Sequence, residues 1–339
     1  MKIKNWAFIL FLMVLFTGCT TKVSQDESSV TNNEDVVSSE NVSQGSDEAT
    51  ETVDNSPKLY VDMKDVFLYQ VAEGGIVSEK RTTKFDSKEY KSNTAVSQKS
   101  YTYKNKALDL KYLKSSTVSK SDKTVDVYDF GGENNEWIIF EGDSNTLVKL
   151  VNFTFDRSMS SEKESIELIN ELAWKNIDLS EYEYYSVETH MYFLTETHMR
   201  STTVDGFYIP KNENEILRER SFYFNKCING IKTNDHIYAT FYNGKYTMEI
   251  YSFDYKESDF DFKKIDEAQK SLEAIAALYM KSNYEVKTVD VIDQVLFIQD
   301  GKSFIQFTTD ISFSDINASN NEAILSTRIV FMIDVTPSE

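Results

Sequence analysis

His236-Ile237-Tyr238-Ala239-Thr240-Phe241-Tyr242, then Asn243-Gly244, then Lys245-Tyr246-Thr247-Met248-Glu249-Ile250-Tyr251 is the stretch that decides the fold class. Two runs rich in aromatic and β-branched residues flank a dipeptide that tolerates positive φ angles, the signature of a β-hairpin closed by a two-residue turn. Asp300-Gly301 joins Val291–Ile298 to Ser303–Phe307 in the same way. A third hairpin is expected between Glu136–Phe140 and Thr146–Val151, turning through Gly142-Asp143-Ser144-Asn145.

Two helices punctuate these strands. The first starts at Ser161, where Ser161 and Glu164 form an S-x-x-E capping box, and runs to about Lys175 with Ile166, Ile169, Leu172 and Ala173 at helical spacing. The second is expected from about Phe262 to Met280, its stripe made of Ile265, Ala268, Leu272, Ile275 and Leu278 or Tyr279. The helices begin about 100 residues apart, and an aromatic strand follows each, at 181–188 and at 283–290. A helix laid across an antiparallel sheet buries the apolar face of each, so the expected class is α+β: an antiparallel β-rich body with helices packed on sheets. The expected units are a mostly β unit at 58–155 and helix-plus-sheet units at 156–256 and 257–339.

Composition agrees with a packed, strand-rich body. Of 339 residues 40% are hydrophobic and 13% aromatic, with only 3 prolines. The formal net charge is −19. That excess leaves no basic stripe for a nucleic-acid backbone, so no nucleic-acid partner is expected. Nor does an acidic body gain from anionic headgroups, so membrane attachment is expected through the N-terminus alone.

The N-terminus carries that attachment. Lys2 and Lys4 precede an eleven-residue apolar run, Trp6–Phe16, too short to span a bilayer comfortably but suited to a signal-peptide core. Leu15-Phe16-Thr17-Gly18-Cys19 follows and resembles the bacterial lipobox, with Phe16 departing from the usual aliphatic residue. The resemblance implies a signal peptide at 1–18, cleavage between Gly18 and Cys19, lipid on Cys19, and a place on the outer face of the cell membrane. Residues 20–57 contain nine acids, one lysine and no aromatic residue. Such a segment cannot bury enough apolar surface to offset its ordering entropy, so 19–57 is expected to be a lipidated tether.

Candidate chemistry is sparse. Glu188-Thr189-His190 recurs as Glu196-Thr197-His198, and His/Glu sets can ligate zinc. Eight residues of strand span roughly 26 Å, however, and no Gly or Pro offers a bend, so a solvated strand face is expected and no shared metal site. Asp235 and His236 are adjacent and point to opposite faces of a strand, which prevents a direct dyad. Cys227, the one thiol left once Cys19 is lipidated, is expected to be a buried small hydrophobe. The pairs Asp259/Asp261 and Glu181/Glu183 are what an acidic chain supplies by chance, and 315–322 is expected to be a polar loop and not a Ca²⁺ site. The chain has no G-x-S-x-G, H-E-x-x-H, C-x-x-C, P-loop or G-x-G-x-x-G motif. No catalytic residue, metal or cofactor is therefore assigned.

One further resemblance rests on Phe224-Asn225-Lys226-Cys227-Ile228-Asn229-Gly230-Ile231-Lys232-Thr233-Asn234-Asp235-His236-Ile237 ahead of the Asn-Gly hairpin. With the preceding helix and strands, this resembles repeats of PepSY-like exported Firmicute lipoproteins over about 160–280. It implies a binding or regulatory module at the cell surface, without transferable catalytic residues; with the missing catalytic motifs and the tyrosine-rich strands, the expectation is a non-enzymatic module of the cell envelope with a protein or glycan partner. The alternatives are an envelope hydrolase whose site assembles only in three dimensions, marked by a deep pocket of convergent carboxylates or histidines, and a substrate-binding lipoprotein of a transporter.

Overall fold

The structure is a computed structural model, and it describes residues 57–82, 90, 95–131, 136–157, 159–195, 198–318 and 323–338. In chain order, the N-terminal elements are β1 (Val66–Val71), β2 (Gln98–Tyr103), β3 (Lys106–Thr117), β4 (Thr124–Asp129), β5 (Trp137–Glu141), β6 (Leu147–Thr154) and α1 (Glu162–Leu172). Next come β7 (Tyr184–Leu194), β8 (Met199–Asp205), β9 (Glu215–Ile228), β10 (Ile231–Tyr242) and β11 (Lys245–Tyr251). The chain ends with α2 (Phe262–Lys270), α3 (Leu272–Tyr279), β12 (Tyr284–Gln299), β13 (Lys302–Asp315) and β14 (Leu325–Asp334).

These strands form one open mixed sheet, and the class is α+β with strand predominating. Ten strands run antiparallel in the order β2-β3-β4-β5-β6-β11-β10-β9-β7-β8. The remaining four, β12-β13-β14-β1, are also antiparallel to one another. The join is a short parallel contact in which Lys232 and Thr233 of β10 face Val295 and Leu296 of β12.

β10 is where the sheet branches. Along one edge it pairs with β9; along the other it pairs with β12 at 232–233 and with β11 from His236 on. Asn234 and Asp235 occupy the change of partner. Asp235 is buried, and its Oδ2 accepts from the N–H groups of Phe253 and Asp254, the residues just beyond β11, at 3.2 and 3.3 Å. Asn234 Nδ2 donates to the Lys120 carbonyl at 2.6 Å. These two side chains thus satisfy backbone groups of the loops beside the branch.

The Asn243-Gly244 and Asp300-Gly301 turns form as read, with φ of 47°, 69°, 53° and 69° in turn. The hairpin between β5 and β6 also forms. Asn229-Gly230 closes a further hairpin between β9 and β10.

The helices seat on two apolar clusters, α1 on one and α2 with α3 on the other. Leu168, Ile169 and Leu172 of α1 pack with Ile138, Leu150, Phe222, Ile237 and Met248 of the long sheet. Tyr103 donates its hydroxyl to the Leu172 carbonyl at 2.6 Å and Trp174 Nε1 donates to the Leu147 carbonyl at 2.7 Å, which fixes the end of the helix on β2 and β6. Ile265, Ala268, Leu272 and Ile275 pack with Leu296, Ile305, Phe307 and Phe331 in the second cluster, which Val66 and Leu68 of β1 join. Burying each of the Leu, Ile and Phe side chains contributes about 1.5–3 kcal/mol before entropy is counted.

The single helix expected at 262–280 is two. Ser271 breaks it: its Oγ bonds back to the Glu267 carbonyl at 2.7 Å and accepts from the Tyr60 N–H at 2.8 Å. A buried serine that bonds its own helix and the segment leading into β1 competes with the helical ladder.

Candidate functional site

The face of the long sheet turned away from α1 is polar and tyrosine-rich. Antiparallel register sets its rows. Lys149, Glu249, Tyr238, Tyr223 and Ser186 form one row across β6, β11, β10, β9 and β7. Thr247, Thr240, Ser221, Glu188 and Asp205 form the next, ending on β8. Beyond it, Glu219, His190 and Thr203 face one another across β9, β7 and β8.

At one side of this face Lys149, Glu249 and His236 interlock. Glu249 accepts from Lys149 through Oε2, and its Oε1 lies 2.8 Å from His236 Nε2. His236 Nδ1 lies 2.7 Å from the Asn234 carbonyl. Both partners of the ring are acceptors, so each nitrogen donates when the imidazole carries two protons. Burial alone would push the Glu249 carboxyl up, but the Lys149 ammonium and His236 outweigh it and hold that carboxyl well below the ordinary range. Burial likewise opposes the Lys149 charge, and Glu249 outweighs it, leaving the ammonium raised. A carboxylate held so firmly ionised is a poor proton donor at neutral pH, because a general acid needs its pKa near the working pH. The arrangement clamps β6, β11 and β10 together.

In the middle, Tyr223 and Tyr238 stack with ring centroids 4.9 Å apart. Tyr223 donates to Glu188 Oε2 at 3.4 Å, and Ser221 and Thr240 share a hydrogen bond of 3.1 Å beneath the rings. Burial pushes the Tyr223 hydroxyl well above the usual tyrosine range, so it stays a neutral donor.

His190 departs from expectation. Instead of a solvated face it is 6% exposed, because Thr203 and Glu219 flank it on the neighbouring strands. Its Nδ1 lies 2.9 Å from Thr203 Oγ1, and its Nε2 lies 3.6 Å from Glu188 and 3.9 Å from Glu219. The chain also bends without Gly or Pro: Leu194 pairs with Met199, so β7 and β8 make a hairpin where one continuous strand was expected. The four residues from His190 to Leu194 still separate the two histidines by roughly 13 Å along β7. Among the described residues, no group of three or more His, Cys, Asp or Glu could hold a metal ion.

The other residues singled out by sequence have structural partners. Asp261 caps α2 by accepting from Lys263 and Lys264 N–H groups, Asp259 accepts from the Lys256 N–H, and Glu181 pairs with Lys226 at 2.9 Å. Cys227 is a free thiol and half-buried, not buried as expected, because its strand lies near the branch and is only partly covered; burial still pushes the thiol up. Gly18 and Cys19 lie outside the described residues, as do 319–322 of the polar loop.

Arg220 carries no sequence signal. It is 3% exposed, on the α1 side of β9, under the crossover 206–214 that leads from β8 to β9. Its Nη2 donates to the Tyr208 carbonyl at 2.8 Å, and the guanidinium sits 4.2 Å from the Phe207 ring centre. No carboxylate among the described residues pairs with it, so backbone carbonyls and a π-face take the place of a counter-ion.

A separate shallow groove of about 510 Å³ lies between Ser78–Arg81 and the end of α3, lined also by Leu278, Met280, Lys281 and Asn283. Its lining contains neither a carboxylate nor a histidine. No helix among the described residues is long and apolar enough to cross a membrane. Compared with known families, curated proteins and solved structures, the chain matches none.

Proposed function

We propose that this chain is a lipid-anchored, extracytoplasmic module of the cell envelope that binds or regulates a partner without catalysing a reaction. The observation that carries the reading is Leu15-Phe16-Thr17-Gly18-Cys19 behind a charged, apolar leader and ahead of the acidic segment 20–57. The resemblance to PepSY-like exported repeats points the same way. The polar face adds support, because its charged groups engage one another: Glu249 with Lys149 and His236, and His190 between Glu188 and Glu219. The tyrosines and hydroxyls between them are suited to an envelope protein or glycan partner.

We retain units at 58–155, 156–256 and 257–339 as part of this reading. The apolar cluster around α2 and α3 supports the last of these, with strand β1 lending it Val66 and Leu68, whereas the cluster under α1 joins side chains of the first two. The reading is tested by capture from envelope extract on immobilised chain, with a tether-only control. A partner retained by the chain, and lost on charge reversal at Glu188 and Glu219, is the expected result. Retention equal to the control contradicts it.

A further inference from the structure

Four places in the chain put an asparagine or aspartate directly before glycine: Asp205-Gly206, Asn229-Gly230, Asn243-Gly244 and Asp300-Gly301. Such a dipeptide is chemically fragile. Glycine has no Cβ to shield its nitrogen, so that nitrogen can close on the preceding side-chain carbonyl carbon and form a five-membered imide. Closure requires a glycine N–H free to lose its proton and a side chain free to turn toward it. It is faster from asparagine than from aspartate, whose ionised carboxylate is a poor electrophile.

The fold treats the four places differently. The Gly206 N–H donates to the Val187 carbonyl at 2.8 Å, and the Gly301 N–H donates to Asp122 Oδ2 at 3.1 Å, so the nitrogen of both Asp-Gly pairs is engaged. Among the described residues, no hydrogen bond engages the Gly230 or Gly244 N–H. Backbone conformation does not separate these two. The φ angles are 50° and 77° at Asn229-Gly230 and 47° and 69° at Asn243-Gly244, and all four residues are exposed. The side chains do separate them. Asn229 Nδ2 donates to Glu257 Oε1 at 3.0 Å, which fixes the amide against the segment between β11 and α2. No hydrogen bond engages the Asn243 side chain among the described residues. Of the four places, Asn243-Gly244 meets both requirements for closure.

We propose that Asn243-Gly244 is a site of spontaneous deamidation and isomerisation, the position at which the folded chain ages chemically. The Gly244 nitrogen forms a bond to Asn243 Cγ, the Cγ–Nδ2 bond breaks, and ammonia leaves with the glycine proton. Solvent water then opens the imide. Addition at Cγ restores the normal backbone with aspartate in place of asparagine. Addition at the main-chain carbonyl frees the α-carboxylate and routes the chain through Cβ. Neither step transfers electrons to or from an outside group. The second product places an extra carbon in a two-residue turn that aligns Tyr242 with Lys245 and whose Gly244 carbonyl accepts from the Phe155 N–H at 2.9 Å. A hairpin's register is set by its turn, so that product disturbs the end of the hairpin that carries His236 and Glu249.

The test follows the full chain in warm, mildly alkaline buffer by peptide mapping. Trypsin cuts after Lys232 and so separates the two Asn-Gly sites. Conversion reads as the mass gain of an amide turned acid, and chromatography divides the product into aspartyl and isoaspartyl forms. In the folded chain Asn243 should convert at least threefold faster than Asn229, and isomerisation at Asp205 and Asp300 should be slower still. In denaturant the two asparagines should agree within twofold, because the hydrogen bond to Glu257 is gone. Glu257→Ala should raise the folded-state rate at Asn229 toward that at Asn243 and leave Asn243 unchanged. Equal folded-state rates, a ratio that persists in denaturant, or an unmoved Asn229 in Glu257→Ala overturns the proposal.

Discussion

Replacing Glu249 with Gln keeps the shape of the side chain and removes its charge, leaving Lys149 and His236 facing an amide. Breaking a fully buried pair costs about 3–5 kcal/mol, because the remaining charge is left unpaired. Here Lys149 is 26% exposed and Glu249 18%, so water screens part of the loss and about 2–3 kcal/mol is the expected cost of Glu249→Gln. For a body of this size that is a fall in Tm of about 4–10 °C. The double variant Lys149→Met/Glu249→Leu removes both charges and should recover more than half of the loss, a coupling well above about 1 kcal/mol. The pH dependence has a definite sign. The folded Glu249 carboxyl is held below its unfolded range, so its contribution is present above about pH 4.3 and is lost as pH falls beneath that value. Wild type and Glu249→Gln should therefore converge in acid and separate at neutral pH. Denaturant midpoints measured across pH decide the matter. A Glu249→Gln midpoint within about 0.5 kcal/mol of wild type at neutral pH, or additivity in the double variant, refutes the clamp.

Other consequences are simpler. Gly244 sits at φ 69°, so Gly244→Val should lower stability by about 1–2 kcal/mol, whereas the same change at Gly74, outside that region, should cost less; paired thermal melts read the difference. Arg220→Met removes the donor that holds the Tyr208 carbonyl, so the amides of 206–209 should exchange with deuterium at least tenfold faster while core amides of β9 hold; unchanged exchange contradicts the crossover role. Burial raises the Cys227 thiol, so an aromatic disulfide reagent should react with it several-fold more slowly in the folded chain than in the unfolded one at neutral pH, with the rate rising in alkali.

Much of the local structure is legible in the sequence because it is local chemistry. Asn243-Gly244 and Asp300-Gly301 mark their hairpins through φ alone, and Ser161 with Glu164 marks the start of α1, although Glu164 reaches the Ser160 N–H and not that of Ser161. The helix break at Ser271 is not legible, since it depends on Tyr60, 211 residues away. Nor is the branch at Asn234-Asp235, where the partner strand changes from β12 to β11. Half of the clamp could have been read: the Asn243-Gly244 turn fixes the register that sets Tyr238 opposite Glu249 and His236 opposite Tyr251, which puts His236 and Glu249 diagonally adjacent on one face. Lys149 could not, because the pairing of β6 with β11 is a long-range contact with its own bulge. His190 escaped for a related reason. The expectation treated 188–198 as one strand, and the turn after Leu194 uses no residue that announces it.

The central claim is where the chain is attached. Mass spectrometry of the protein isolated from membranes, after digestion, addresses it directly. The account predicts an N-terminal peptide that begins at Cys19 and carries a diacylglyceryl adduct, with Cys19→Ser either released into the medium or retained as unprocessed precursor. An intact Met1 terminus with an unmodified Cys19 on membrane-bound protein contradicts it.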